Sequence, residues 1–440
     1  MNLTRSRRRY LVEVVLSSMY KKLLIANRAD CAVRLIRSCH NLGIETVLIA
    51  ARDEPASLAL TQSDAVFYTG MSRDAYLNED NMIDVARELG CEAILPGWGF
   101  LSESYRFARR VRLAGLDFIG PRESHMQIFG DKLATLDAFV PKLRTDNIYA
   151  STQNDIEILI SQDNLHSAWM LKGRYGGGGK AVHLYHRVDE LRTQIERLSA
   201  MREMQDYYVE KAICQSRHIE LQLFGCGSLG TKIVGIRDCT HQKNQQKWLE
   251  FHIEATSIGG LTDLSRRVAD SFSAIEFEGW ATVEFLRDAD NTFHLLEVNP
   301  RLQVEHGVTE MARHIDLVEL GLRYQCERRC DPRLSEATNH NPATLEFRLY
   351  AQSAGKLDFL GFDGDDWPDH PQSKNADYRV ETGYVAGDEI TGVYDGCLAR
   401  FLVRANGSDE ALAKMKLWLQ PFRCEGVKTN LSDLFDLKSL

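Results

Sequence analysis

Apolar residues fall into short alternating or continuous runs from Met19 onward, separated by stretches with a repeat near 3.6. KKLLIA (21–26), ETVLIAA (45–51), AVFYTG (65–70), AILPGW (93–98) and DFIGP (117–121) read as strands, with helical patterns at 31–42, 80–89 and 104–114 between them. This alternation predicts a doubly wound α/β domain. Residues 121–165 are richer in helix and loop, and 168–185 give two strands joined by a glycine-rich loop. A helix at 185–200, strands at 207–212, 218–225 and 231–239, a helix at 262–278 and a hairpin at 281–299 predict a second mixed α/β unit. The segment from 343 onward is β-rich and closes with a helix at 407–420.

The hairpin is the richest segment chemically. In ATVEFLRDADNTFHLLEVN, a two-residue loop at Asp290 and Asn291 pairs residues whose numbers sum to 581, so Glu284 faces Glu297. Cross-strand partners have Cβ atoms about 5 Å apart, and two bare carboxylates at that separation repel. Thr282 and Asn299 extend the polar face, while Val283, Phe285, Leu296 and Val298 form the apolar one. A hard divalent cation relieves the repulsion, and magnesium held by one or two carboxylates plus phosphates points to nucleotide chemistry. A solvated acidic strand face is the alternative reading of the same residues.

The glycine loop, Lys172-Gly173-Arg174-Tyr175-Gly176-Gly177-Gly178-Gly179-Lys180, supplies a second element. Four consecutive residues without side chains let backbone amides approach phosphate oxygens, with Lys172 as a point charge. It is not a Walker loop, because no GK[ST] follows. A flexible turn between strands has the same composition.

At 440 residues, 44% hydrophobic and 26% charged, the chain supports two or three globular cores. Its net charge of -9 and scattered basic residues argue against a nucleic-acid surface, and no apolar run approaches membrane-spanning length. The ten cysteines show no CxxC spacing and read as reduced, mostly buried thiols of a cytoplasmic protein. Residues 1–19, with an Arg cluster and an apolar stretch broken by Glu13, read as a disordered extension.

IANRADCAVRLIR, ILPGWGFLSES, FIGPRESHMQIFGDK, the glycine loop, VEKAICQSRHIELQ, IRDCTHQKNQQK, EVNPRLQVEHGVTEM and RVETGYVAGDEITGVYD together resemble the biotin carboxylase subunit or domain of biotin-dependent carboxylases. The resemblance runs from about Lys21 to about Asn430. It implies an ATP-grasp fold: a Rossmann-like domain at 20–120, a linker and mobile lid at 121–211, a catalytic core at 212–342 and a C-terminal domain at 343–440. The implied reaction is ATP- and bicarbonate-dependent carboxylation of biotin, through carboxyphosphate, with magnesium or manganese.

Roles follow position by position. Lys132 and Lys172 match lysines that contact ATP phosphates, with Gly177, Gly178 and Gly179 in the loop over them. Glu210, Lys211 and Ile213 match the adenine segment, and His218, Gln242 and Gln245 stand at nucleotide-contacting positions. Glu284 and Glu297, with Asn299 beside them, match the metal ligands. Lys247, Arg301, Gln303, the Val304 backbone and Glu305 match the bicarbonate site, with Glu305 as general base; Arg348 matches the arginine that stabilises the biotin enolate. For Arg301 and Glu305 the alternative is an ordinary i,i+4 ion pair. Trp98 and Gly99 fall in the biotin pocket.

The chain departs from the family pattern near this site. Asn244-Gln245 replaces an Arg-His pair, Glu250-Phe251-His252-Ile253 replaces Glu-Glu-x-Pro, Trp98 replaces a tyrosine, Leu95 a histidine, and Tyr175 and Ala181 two loop glycines. No biotinylation motif is present, so the resemblance implies a biotinylated carrier and a carboxyltransferase on other chains. It also implies a homodimer with Arg37 at the interface, although Asn41 replaces an acidic partner. Two other readings stay open: an ATP-grasp ligase with a different acceptor, and a nucleotide-binding regulatory homologue.

Overall fold

The structure, a computed structural model, describes residues 19–162, 168–176, 181–243, 246–335, 343–363 and 376–438. The extension at 1–18, the loop glycines Gly177, Gly178 and Gly179, and Asn244 and Gln245 lie outside them.

The first unit is a five-stranded parallel sheet in the order Ala65–Thr69, Glu45–Ala51, Lys22–Ile25, Ala93–Leu95, Asp117–Phe118. Its helices Ala29–Asn41, Glu79–Glu88 and Tyr105–Leu113 match the predicted segments closely. Asn78 and Ser104 cap the latter two by accepting from the backbone amides of Asn81 and Phe107. Leu24, Val47, Ile49 and Ile94 are buried to one side of the sheet and Leu23, Ile25, Leu48 and Leu95 to the other, as a sheet covered on both faces requires.

Helices Glu123–Phe129, Lys132–Leu143 and Gln153–Ser161 lead into a four-stranded antiparallel sheet ordered Tyr149–Ala150, Tyr207–Lys211, Trp169–Gly173, Val182–Tyr185. The helix Val188–Ala200 packs on it through Leu191, Ile195 and Leu198.

An eight-stranded antiparallel sheet forms the rest of the framework, in the order Phe293–Asn299, Glu278–Arg287, Arg217–Cys226, Thr231–Lys243, Gln246–His252, Ala343–Tyr350, Cys397–Ala405, Tyr378–Thr382. It runs through both the 212–342 and 343–440 segments, because Leu249, Glu250 and Phe251 pair with Phe347, Glu346 and Leu345. One face carries an aliphatic and aromatic layer over helix Leu261–Ala274, including Ile219, Leu221, Leu223, Val283 and Phe285. The opposite side of the middle strands carries charged and polar residues, buried beneath the helix His306–Arg313.

Two expectations need correction. The hairpin connection is not the two-residue Asp290-Asn291 loop: the Asp288 amide bonds the Thr292 carbonyl, and Asn291 alone takes the left-handed conformation at φ 66°. Glu284 nevertheless faces Glu297, because an extra residue at Leu296 bulges out between the Glu284–Glu297 and Phe285–Leu295 pairs. The bulge restores the register that the longer loop shifts, and puts Leu295, not Leu296, in the core. The cysteines are also not all thiols: Cys226 and Cys330 form a disulfide with Cα atoms 5.6 Å apart. Their separation of 104 residues hides the pairing in the sequence; the fold joins their segments through the Phe224–Tyr324 ring contact.

Candidate active site

The polar side of the large sheet gathers most of the predicted residues. Arg217–Cys226 lies between Thr231–Lys243 and Glu278–Arg287, so Glu220 is flanked in register by Arg237 and Glu284, and Glu284 in turn by Glu297. Asn299 donates its amide to both hairpin carboxylates, at 2.7 Å to Glu284 and 3.1 Å to Glu297. Two carboxylates within reach of one donor are a donor set suited to a hard cation, and Asn299 bridges them where it would sit. His218 approaches Glu284 at 2.7 Å, and Lys132 approaches Glu297 at 3.4 Å. Although Glu284 is buried, Lys247 and His218 hold its carboxyl down to about 2. Burial acts to lower His218, but its hydrogen bond to Glu284 outweighs this and raises it above the ordinary imidazole range.

Beside this pair lies a second cluster. The Lys247 ammonium sits among Glu220, Glu305 at 3.0 Å and Glu284 at 3.6 Å. Burial opposes its charge, yet these carboxylates keep it firmly protonated. Glu305 stands at the N-terminal boundary of the helix His306–Arg313, but its carboxylate caps no helix amide. It turns to Lys247 and, at 2.6 Å, to Arg348. Burial would favour its neutral form; Lys247, Arg348 and Arg237 overcome this and hold it ionised well below the usual carboxylate range. Arg301 does not form the i,i+4 pair with Glu305: the helix starts only at His306, and the Arg301 guanidinium pairs with Glu103 and reaches Asn299 at 3.3 Å. Gln303 bridges the clusters, donating to Glu284 and accepting from Arg237 at 2.8 Å. The Val304 carbonyl accepts from Arg400.

The residues expected to meet a nucleotide stand where the small sheet faces the large one. Lys172 and Glu210 stand on adjacent strands and form a buried ion pair. Asp131 caps the helix Lys132–Leu143 and also binds Arg174 at 2.5 Å, so Lys132 is tied to the strand that carries Lys172. Glu210, Lys211 and Ile213 line one cleft with Ile148, Leu286, His294 and Leu296, an apolar slot with polar edges suited to a flat ring. Leu296 reaches it because the bulge turns it out of the core. Gln242 bonds His218 at 2.7 Å. Trp98 is buried, 5.0 Å from the His306 ring with the Arg400 guanidinium 5.5 Å away, and its carbonyl accepts from Asn27; Gly99 follows it at φ 78°.

Four residues were not singled out from the sequence. Glu220 interrupts the apolar run HIELQLF, which was the available signal. Glu103 on Arg301, Arg237 between Glu220 and Gln303, and His306 against Trp98 gave none, since each partner is distant in sequence.

A small antiparallel sheet facing a large one, with paired carboxylates and lysines between them, is the architecture of the ATP-grasp class. Residues 19–126 match the family model of the biotin carboxylase N-terminal domain, 147–328 that of the carbamoyl-phosphate synthase L chain ATP-binding domain, and 346–437 that of the biotin carboxylase C-terminal domain. The biotin carboxylase of Halalkalibacterium halodurans is 31% identical over 436 residues, covering 94% of this chain and 92% of that protein. The mitochondrial methylcrotonoyl-CoA carboxylase subunit alpha of Oryza sativa subsp. japonica is 34% identical over 95% of this chain, which spans 58% of that relative's length. Among solved structures, the biotin carboxylase domain of Hydrogenobacter thermophilus 2-oxoglutarate carboxylase, a dimer in complex with MgADP, ADP and bicarbonate, matches with a TM-score of 0.82 and 28% identity, covering 95% of this chain and 93% of that one. The biotin carboxylase of Campylobacter jejuni in complex with β,γ-ATP matches with a TM-score of 0.80 and 26% identity, covering 95% of each. The chain belongs to the biotin carboxylase family, ATP-dependent ligases that form a carbon–nitrogen bond.

Proposed function

We propose that this chain uses ATP to activate bicarbonate as carboxyphosphate and transfers the carboxyl group to a biotin ureido nitrogen on a separate carrier protein. The observation that carries this reading is the convergence of Glu305, Lys247 and Arg348 beside the Glu284–Glu297 pair: an ionised base and two cations adjoining a divalent-metal donor set. Bound at Glu284, Glu297 and Asn299, magnesium or manganese would neutralise the nucleotide phosphates. Lys132 and Lys172 supply positive charge on the phosphate side, and the cleft at Glu210, Lys211 and Ile213 takes the base. Lys247, Arg301 and Gln303 surround the position for bicarbonate; Glu305 takes its proton as the oxygen attacks the γ-phosphorus and ADP leaves. Once carboxyphosphate releases carbon dioxide, its phosphate removes the ureido proton and leaves with it as hydrogen phosphate. Arg348 balances the enolate oxygen while the nitrogen attacks carbon dioxide.

The carrier, the carboxyltransferase and the final acceptor belong to other chains in this reading, which extends to an acyl-CoA, pyruvate or urea carboxylase. A homodimer is part of it, with Arg37 on the partly exposed side of its helix already paired to Glu381. So is a cytoplasmic location; among the described residues no helix is long and apolar enough to cross a membrane. The test is ATP hydrolysis with bicarbonate, with and without free biotin. Glu305→Gln should lower bicarbonate-dependent ATP cleavage by about 10²-fold to 10⁴-fold with ATP affinity retained. Arg348→Ala should impair biotin carboxylation more than ATP cleavage. Robust hydrolysis without any biotin dependence would replace biotin with another acceptor, and ATP binding without hydrolysis would leave a regulatory homologue.

A further inference from the structure

Arg348 is held by three carboxylates through two of its nitrogens. Its Nη2 meets both Glu305, at 2.6 Å, and Glu250, at 2.5 Å. Its Nε donates to Glu346 Oε1 at 3.2 Å. Glu250 and Glu346 are direct cross-strand partners on Gln246–His252 and Ala343–Tyr350, and both are completely buried. Cross-strand Cβ atoms lie about 5 Å apart, so two full negative charges there repel without solvent to screen them. The cations facing the pair are Arg348, Arg400 at 3.8 Å from Glu346, and Lys247 beyond Glu305; Tyr350 adds a hydroxyl 3.4 Å from Arg348. The helix His306–Arg313 covers these strands and brings Glu310 and His306, already matched to Arg34, Arg379 and the Gln303 carbonyl. Among the described residues, neither Glu250 oxygen nor Oε2 of Glu346 has a hydrogen-bond partner, which leaves charge on Arg348 and Arg400 to hold them. Three carboxylates press on one guanidinium, more negative charge than it can balance.

We propose that Glu250 and Glu346 act together as positioning residues for Arg348, two carboxyl groups that share one proton and hold the guanidinium with its free edge towards the acceptor site. A single shared charge anchors Arg348 without cancelling it, so the guanidinium can leave Glu305 when Glu305 accepts a proton. Burial pushes both carboxyls above their ordinary range despite Arg348 beside Glu250 and Arg400 beside Glu346, which supports one of them being neutral. The inference rests on the role proposed for Arg348 and adds to it how the arginine is held.

If the pair shares a proton, either carboxyl can be replaced by its amide while the other ionises. Glu250→Gln and Glu346→Gln should each lower the kcat of biotin carboxylation less than about threefold, whereas the double variant should lose about 10²-fold, approaching Arg348→Ala, with the KM for MgATP within about twofold. Carboxylation should fall at least about tenfold more than bicarbonate-dependent ATP cleavage in the double variant. The shared proton is read separately by infrared difference spectroscopy at neutral pH: the carbonyl stretch of a buried carboxylic acid should be present in the wild type and absent in both single variants. Losses in the double variant that merely multiply those of the singles, or equal losses of both activities, would overturn the proposal. A carboxylic-acid band that is missing from the wild type, or that survives in both singles, would overturn it even where the double variant does not fold. A wild type inactive towards biotin but showing the band, lost in each single, refutes the acceptor while leaving the shared-proton pair in place.

Discussion

Glu284 and Glu297 are alike in sequence and differ in what surrounds them. Glu284 is buried against His218, Lys247, Gln303 and Asn299, whereas Glu297 is partly open and meets Lys132 and Asn299. Glu297→Gln should therefore lose most turnover with an almost unchanged thermal midpoint. Glu284→Gln should also lose turnover, but it leaves Lys247 and His218 short of a counter-charge and should destabilise the fold by roughly 1–3 kcal/mol. Magnesium–ATP binding and turnover unchanged in both variants would remove the metal site. His306 makes a different prediction. Full burial, with Arg34, Arg400 and Arg379 nearby, outweighs Glu310 and depresses its imidazole to about 3. The unfolded chain takes up this proton near pH 6.5 and the folded one does not, so stability is fully present above pH 6.5 and is lost as pH falls towards 3. At pH 5 the loss from this group is about 2 kcal/mol. In His306→Asn the loss of unfolding free energy between pH 7 and pH 5, measured by urea titration, should be smaller by that amount; an identical loss would contradict it.

At the scale of elements, the hairpin that carries Glu284 and Glu297 joins a loop and a bulge that only work together. Asn291 in the left-handed conformation closes the turn, and the extra residue at Leu296 returns Glu297 to its place opposite Glu284. Asn291→Val, forced into a conformation that a β-branched residue resists, should cost about 1–2 kcal/mol, while Asn291→Gly should change stability little. Equal thermal midpoints for the two variants would show that the turn conformation does not matter. The alternation of Glu284, Thr282, Glu297 and Asn299 with apolar neighbours was readable because a strand's period of two separates its faces. The bulge was not, since a two-residue loop and a longer loop with a bulge place the same carboxylates opposite each other. The helix His306–Arg313 shows a similar limit: spacing alone allows an Arg301–Glu305 pair, and only the start of the helix after Glu305 frees both side chains for other partners.

For the whole molecule, the parallel N-terminal sheet is joined to the large antiparallel sheet through the helix Ala29–Asn41. Arg34 pairs with Glu310 at 2.6 Å and Asp316 at 2.9 Å, Asp30 with Arg400 at 3.2 Å, and Arg37 with Glu381. Gly383, just after the strand Tyr378–Thr382, lets that strand end approach the start of this helix; an added Cβ would collide with the backbone of Ala29 and Asp30. Gly383→Ala should lower stability by about 1–3 kcal/mol through overpacking, seen as a lower thermal midpoint. A midpoint unchanged within error would mean that the two parts separate without strain. The same joint positions Trp98, which contacts both His306 and Arg400, so the departure at Trp98 is coupled to this interface.

The sequence by itself determined the strand and helix order of the N-terminal sheet, the carboxylate pair of the hairpin, and the ordered motifs that mark the family. These are local signals, written in periodicity and in runs of a few residues. Tertiary structure alone decided that Glu220, Glu103, Arg237, Glu250 and Glu346 join the charged cluster, that one sheet spans residues on both sides of 343, and that Cys226 meets Cys330. The physical reason is that a buried charge is tolerable only beside its counter-charge, and that partner comes from strands paired across the sheet rather than from neighbours along the chain.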